Sequence, residues 1–202
     1  MTLTCLADAN PEPAYQWVQR LNDQVVIKGN ERVLSLENLI FEDDGEYICT
    51  AHNLIRGQEK ITQSAPVQLT VTGPPRLYLD PKTRFETSAG SDTSMEVKVC
   101  GEPRPEVRWQ VDHLVLTAGS GHGRFRADTL VKMSSHHNCY ISRLGVQGAH
   151  RDDSKSYQVH VENVHGSETH SLELLVHGKP ILHLIFFFHR QYFQKTGSSR
   201  CS

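Results

Sequence analysis

Short runs in which apolar and polar residues alternate fill most of this chain, and no long stretch carries a helical period. Val67-Gln68-Leu69-Thr70-Val71, Met95-Glu96-Val97-Lys98-Val99 and Val107-Arg108-Trp109-Gln110-Val111 each place every second residue on one face, as a half-buried strand requires. Clusters of Gly, Pro, Asn and Asp punctuate these runs. Many short strands at fairly even spacing predict an all-β sandwich or barrel.

The pattern occurs twice. Pro11-Glu12-Pro13 precedes Trp17, and Pro103-Arg104-Pro105 precedes Trp109 at the same spacing. Later in the first copy comes Asp43-x-Gly45-x-Tyr47-x-Cys49-x-Ala51-x-Asn53, followed by Gly57. The second has Asp153-x-Lys155-x-Tyr157-x-Val159-x-Val161-x-Asn163, followed by Gly166. The copies span 1–72 and 77–177, and Gly73-Pro74-Pro75 reads as a stiff linker over 73–76. The tail, 178–202, loses the pattern and is expected to be disordered. Its apolar run Leu184 to Phe188 is far short of the roughly 20 residues that a membrane helix needs.

The order Cys5, Trp17, Asp43-x-Gly45-x-Tyr47-x-Cys49 resembles the immunoglobulin superfamily, and in particular the intermediate-type (I-set) domains of adhesion and muscle proteins. The resemblance covers residues 1–176 and implies two tandem Greek-key β-sandwiches. It further implies a disulfide from Cys5 on strand B to Cys49 on strand F, with Trp17 on strand C packed against it. Tyr47 would form the tyrosine corner, its hydroxyl bonding backbone upstream, and Trp109 and Tyr157 would take the same places in the second copy.

Two departures from the family pattern carry information. Only four residues precede Cys5, where family members have a strand A of ten or more, so the first copy is expected to lack strand A and the chain to be a piece of a longer protein. In the second copy Val97 and Val159 stand where the bridge cysteines would be, and two facing valines would fill the core in their place. Cys100 falls out of phase with Val97 and Val99. Cys139, in Cys139-x-Ile141-x-x-Leu144, reads as inward. Opposite facing disfavours a bridge between them, so two free thiols are expected.

Composition narrows the function. A formal net charge of −2 supplies no basic field for nucleic acid. His136 and His137 are adjacent, so on a strand they point to opposite faces and do not chelate together. Gly119-Ser120-Gly121-His122-Gly123 looks like a phosphate cradle, yet no buried parallel strand precedes it and no helix follows; a mobile loop is expected. No paired-carboxylate or Gly-x-Ser-x-Gly site is visible, and Cys139 has no third orienting group. The expectation is a non-enzyme without cofactor, metal or small-molecule substrate, and without membrane insertion by this segment.

What remains is protein binding. Strand phase puts Gln16, Val18 and Arg20 on the outer face of strand C and Ile48 on the outer face of strand F. Val18 and Ile48 are thus expected as an exposed apolar pair, whereas their counterparts Arg108, Gln110, Gln158 and His160 are polar. The leading expectation is a fragment of a cell-surface adhesion or receptor protein on the extracellular side, binding a protein partner homophilically or heterophilically. The alternative is an intracellular sarcomeric scaffold segment. The Val97/Val159 core and the lack of any Asn-x-Ser/Thr glycosylation site favour that alternative.

Overall fold

The computed structural model describes residues 1–22, 24–79 and 83–178. The expectation of a disordered tail concerns 178–202 and lies, beyond Gly178, outside the described residues. Strand is the dominant element of the described chain, in four sheets that pair into two successive sandwiches.

The first sandwich runs β1 (Thr2–Thr4), β2 (Ala14–Leu21), β3 (Gln24–Gly29), β4 (Val33–Ser35), β5 (Gly45–Ile55), β6 (Gln58–Gln63) and β7 (Val67–Leu69). β1 pairs with β4, and the facing sheet has the order β3-β2-β5-β6, with β7 also on β5. Alternation decides which side chains turn inward: Tyr15, Trp17 and Leu21 on β2 and Tyr47, Cys49 and Ala51 on β5 are buried. They close on Leu34 from the small sheet and on Cys5 and Leu36, which directly follow its two strands.

The second sandwich comprises β8 (Gly73–Tyr78), β9 (Arg84–Ser88), β10 (Thr93–Glu102), β11 (Glu106–Val111), β12 (Leu114–Thr117), β13 (Gly121–His122), β14 (Phe125–Ala127), β15 (Val131–Lys132), β16 (Cys139–Val146), β17 (Lys155–Asn163) and β18 (Gly166–His177). One sheet has the order β13-β14-β16-β10-β8, with β15 on β16; the other is β12-β11-β17-β18-β9. β9 joins β18 in parallel, Phe85 opposite Leu174, while the other pairings are antiparallel. Met95, Val97, Val99, Trp109, Leu144, Tyr157, Val159, Leu172 and Leu174 form one buried core.

Two local expectations are corrected. The stretch 73–76, expected as a stiff linker, is instead the start of a strand, Gly73–Tyr78, bonded to β10 with Arg76 opposite Cys100. Two prolines are tolerated there since β8 is an edge strand and one side of it needs no donors. The glycine-rich 119–123 segment is a hairpin: Gly121 pairs with Arg126 and His122 with Phe125. Gly119 and Gly123 take positive φ values of 86° and 57°, which sharpen the entry and the turn.

The two sandwiches differ where β9 lies. Leu172 and Val67 occupy equivalent places, each opposite the corner tyrosine of its sandwich. Leu172 is fully buried, whereas Val67 is 41% exposed. Among the described residues no strand pairs with the outer edge of β7 as β9 does with β18.

Candidate protein interface

The same corner is built twice. A single 3-10 turn, Phe41–Asp43 in the first copy and Arg151–Asp153 in the second, delivers the chain to the strand carrying the tyrosine. Tyr47 Oη donates to the Asp43 carbonyl at 2.9 Å, and Tyr157 Oη to that of Asp153 at 3.0 Å. Burial, reinforced by the nearby aspartates, pushes the Tyr47 hydroxyl up to about 12 and raises that of Tyr157 as well. Both therefore stay protonated donors at any physiological pH. Each aspartate carboxylate in turn accepts a backbone N–H, Ile40 N at 3.1 Å and His150 N at 2.7 Å. A cation clamps each corner: Lys28 on Asp43 at 3.1 Å, and a bidentate Arg124 on Asp153 at 2.7 and 3.0 Å. Burial alone would raise the Asp153 carboxyl, but the bonds from Arg124 and the His150 N–H outweigh it and hold it below the usual carboxylate range.

The cores differ in covalent design. Cys5 and Cys49 are bridged, with Trp17 buried in the same cluster. Val97 and Val159 are buried beside Trp109, whose Nε1 donates to Ser142 Oγ at 2.9 Å. The two-thiol expectation for the second copy is overturned, since Cys100 and Cys139 form a disulfide. They sit directly opposite each other on β10 and β16, so they must share a face. Cys100 does point away from the core. The error lay in Cys139, because Tyr140, Ser142 and Leu144 are the inward residues of β16 and Cys139 lies outward with Ile141. A buried serine that satisfies an indole donor disguised the phase.

This outward bridge is nevertheless wholly buried, because the first sandwich covers it. Phe41 packs on Cys100 and Cys139, with Val71, Tyr78 and Met133 around them. Polar contacts ring this seat. Lys98 Nζ binds Glu42 Oε1 at 2.6 Å and lies 4.5 Å from the centre of the Tyr78 ring. Tyr78 Oη donates to Glu42 Oε2 at 3.3 Å, and Asn22 reaches the Ser134 carbonyl. Burial would raise the Glu42 carboxyl, but Lys98 reverses the sign and lowers it. The joint between the sandwiches is thus an apolar plug inside a charge-assisted rim.

The predicted contact row is partly corrected. Val18 is half-buried, Gln16 is half-buried and Arg20 is exposed, bound to Glu46 at 3.5 Å. Ile48 is not exposed: only 4% of it is accessible, although its phase is outward. It lies on a central strand, opposite Val18 on one side and beside the 64–66 crossing from β6 to β7 on the other. The exposed apolar surface lies instead one strand further out. Ile27, opposite Val18, is 60% accessible and Val25, opposite Arg20, is 62% accessible. Sequence reasoning also missed Gln19, which is buried in phase with Trp17 and donates to the carbonyls of Glu42 (2.9 Å) and Asp44 (2.8 Å). A glutamine inside an inward apolar phase was the available signal.

Among the described residues, one group of metal-ligating type converges, Glu42 with Cys100 and Cys139, and its sulfurs are spent in the disulfide. No helix among the described residues is long and apolar enough to cross a membrane.

Comparison with known proteins agrees with this geometry. The family model for the immunoglobulin I-set domain matches residues 76–176, and that for an immunoglobulin domain matches residues 1–53. The chain is 32% identical over 154 residues to slow-type myosin-binding protein C of Rattus norvegicus, covering 75% of this chain and 22% of that protein. It is 27% identical over 171 residues to the neural cell adhesion molecule L1-like protein of Mus musculus (83% and 13% covered) and 29% identical over 182 residues to contactin-5 of Mus musculus (88% and 15%). It therefore spans less than a quarter of the length of these relatives. Among solved structures, the Dpr2 Ig1-Ig2 complex with DIP-Theta Ig1-Ig3 superposes with a TM-score of 0.55 at 19% identity, covering 88% of this chain and 58% of that one. A tandem pair of titin immunoglobulin domains superposes at 0.51 and 20% identity, with 84% of each chain covered.

Proposed function

The chain belongs to the immunoglobulin I-set family, and from that premise we propose that it is the protein-binding segment of a cell-surface adhesion or receptor protein, working on the extracellular side of the membrane. The observation that carries this reading is a buried disulfide in each sandwich, Cys5–Cys49 and Cys100–Cys139. Two such bridges belong to an oxidising compartment, since a cytosolic chain would keep its thiols reduced. The second bridge lies outside its own sandwich core and beneath Phe41, so it forms part of the surface on which the first sandwich packs. Packing at this joint sets the angle at which a contact face is presented, which suits recognition by a second protein. The face we assign to that partner is the outer side of β3-β2-β5, with Val18, Gln16 and Arg20 central and Ile48 as its buried support.

The 32% identity to slow-type myosin-binding protein C favours a second reading, an intracellular sarcomeric scaffold segment. Thiol labelling in denaturant with mass mapping, without reduction, on protein from its native source separates the two. Protection of Cys5, Cys49, Cys100 and Cys139 as two bridged peptide pairs is the expected result. Free labelling of all four would sink the surface reading and leave the scaffold.

A further inference from the structure

The exposed aliphatic residues of the first sandwich converge on one strand. β3 reads Gln24-Val25-Val26-Ile27-Lys28-Gly29, and Val25, Val26 and Ile27 are 62%, 42% and 60% accessible. β3 ends its sheet, so alternate residues direct N–H and C=O groups away from β2, and among the described residues no strand receives them. Three consecutive β-branched residues on an open edge make a strong template for strand addition.

Other edges of the molecule carry features that discourage pairing. β8 contains Pro74 and Pro75; β6 interposes Glu59 and Lys60; β9 begins at Arg84 and carries Glu86. β12, which occupies in the second sandwich the place that β3 holds in the first, has four residues and buries Leu116. β1 and β7 are three residues each. Charge, proline and shortness are the usual guards of an edge, and β3 has none of them over Val25–Ile27.

We propose that β3 is a self-association edge, which pairs antiparallel with β3 of a second copy of this chain. The strand's own sequence favours that occupant. A two-fold axis through Val26 sets Val26 opposite Val26 of the second copy, Val25 opposite Ile27, and Gln24 opposite Lys28. No like charges meet, because Lys28 is the strand's one charge, faces an amide, and is already bound to Asp43. Val25 and Ile27 share the outer face, so the cross-strand Val25–Ile27 pairs are β-branched contacts of the stabilising kind. They also continue the row begun by Val18, joining the two sheets into one surface across both molecules. This deepens the protein-binding reading by naming the partner, and it does not depend on compartment, which the thiol mapping tests separately.

An edge contact of six residues lies at the small end of specific interfaces, so association in the micromolar range is expected. The test is sedimentation-equilibrium analysis of the full chain and two paired variants, each checked for native near-ultraviolet circular dichroism. Val25→Lys with Ile27→Lys sets lysine against lysine in the proposed register and should weaken dimerisation at least about tenfold. Val25→Lys with Ile27→Glu sets lysine against glutamate and should restore most of it. Both positions are solvent-exposed, so folding is retained. A wild-type chain that stays monomeric to about 200 μM overturns the proposal, given the affinity expected of so small an interface. So does a lysine–lysine variant that dimerises like wild type, or a lysine–glutamate variant that associates no better than the lysine–lysine one.

Discussion

Replacing Cys100 and Cys139 together by alanine removes a covalent link between residues 39 apart in sequence. In the chain-entropy treatment a closed loop of that length lowers the entropy of the unfolded chain by about 13 cal/mol/K, or about 4 kcal/mol at 25 °C. The bridge joins β10 to β16, so the loss should fall on the second sandwich. Each sandwich carries one tryptophan in its core, Trp17 or Trp109, and these are built-in reporters of the two unfolding events. Urea titrations followed in a Trp17→Phe background, with and without the alanine pair, read the second sandwich alone. With a slope of about 2 kcal/mol/M, the midpoint should fall by about 2 M. A fall equivalent to less than about 1 kcal/mol would refute the reasoning, because the bridge would then not constrain the unfolded chain as its loop length requires. An equal fall reported by Trp17 in a matching Trp109→Phe background would refute the assignment of the effect to one sandwich.

Two further outcomes follow from the corner and the joint. Asp153→Asn should cost about 2 kcal/mol at neutral pH, less than the roughly 3–5 kcal/mol of a fully buried pair because Arg124 keeps part of its side chain in water. The folded Asp153 carboxyl titrates below its ordinary value of 3.8, so its contribution is complete above that value and is lost as the pH falls through the lowered one. Wild type should therefore lose stability on acidification below about pH 4 more steeply than the variant, measured by thermal unfolding across pH. Phe41→Ala should remove about 3 kcal/mol of packing at the joint; small-angle scattering should then show a broader distribution of interdomain distances. Near-unchanged scattering would show that the Glu42–Lys98 rim holds the joint without the plug.

Alternation and the repeated Pro-x-Pro…Trp and Asp-x-x-x-Tyr spacings were enough to place two sandwiches, since period-two burial and the tyrosine corner are local properties of strand and turn. The Cys5–Cys49 pair was legible through its family resemblance, as was the exchange of its counterpart for Val97 and Val159. The errors share one cause. Phase along a strand says which way a side chain points, but not what waits there. Ile48 points outward and is still buried, because neighbouring strands crowd it; Cys100 points outward and is buried, because another domain sits on it. Cys139 was assigned to the wrong face because Ser142 is polar and inward, a choice that makes sense only beside the Trp109 N–H. By itself the sequence determined the fold class and each core. The joint, the second bridge and the open apolar edge of β3 depend on residues far apart in the chain meeting in space, or failing to meet, and tertiary structure alone decided them.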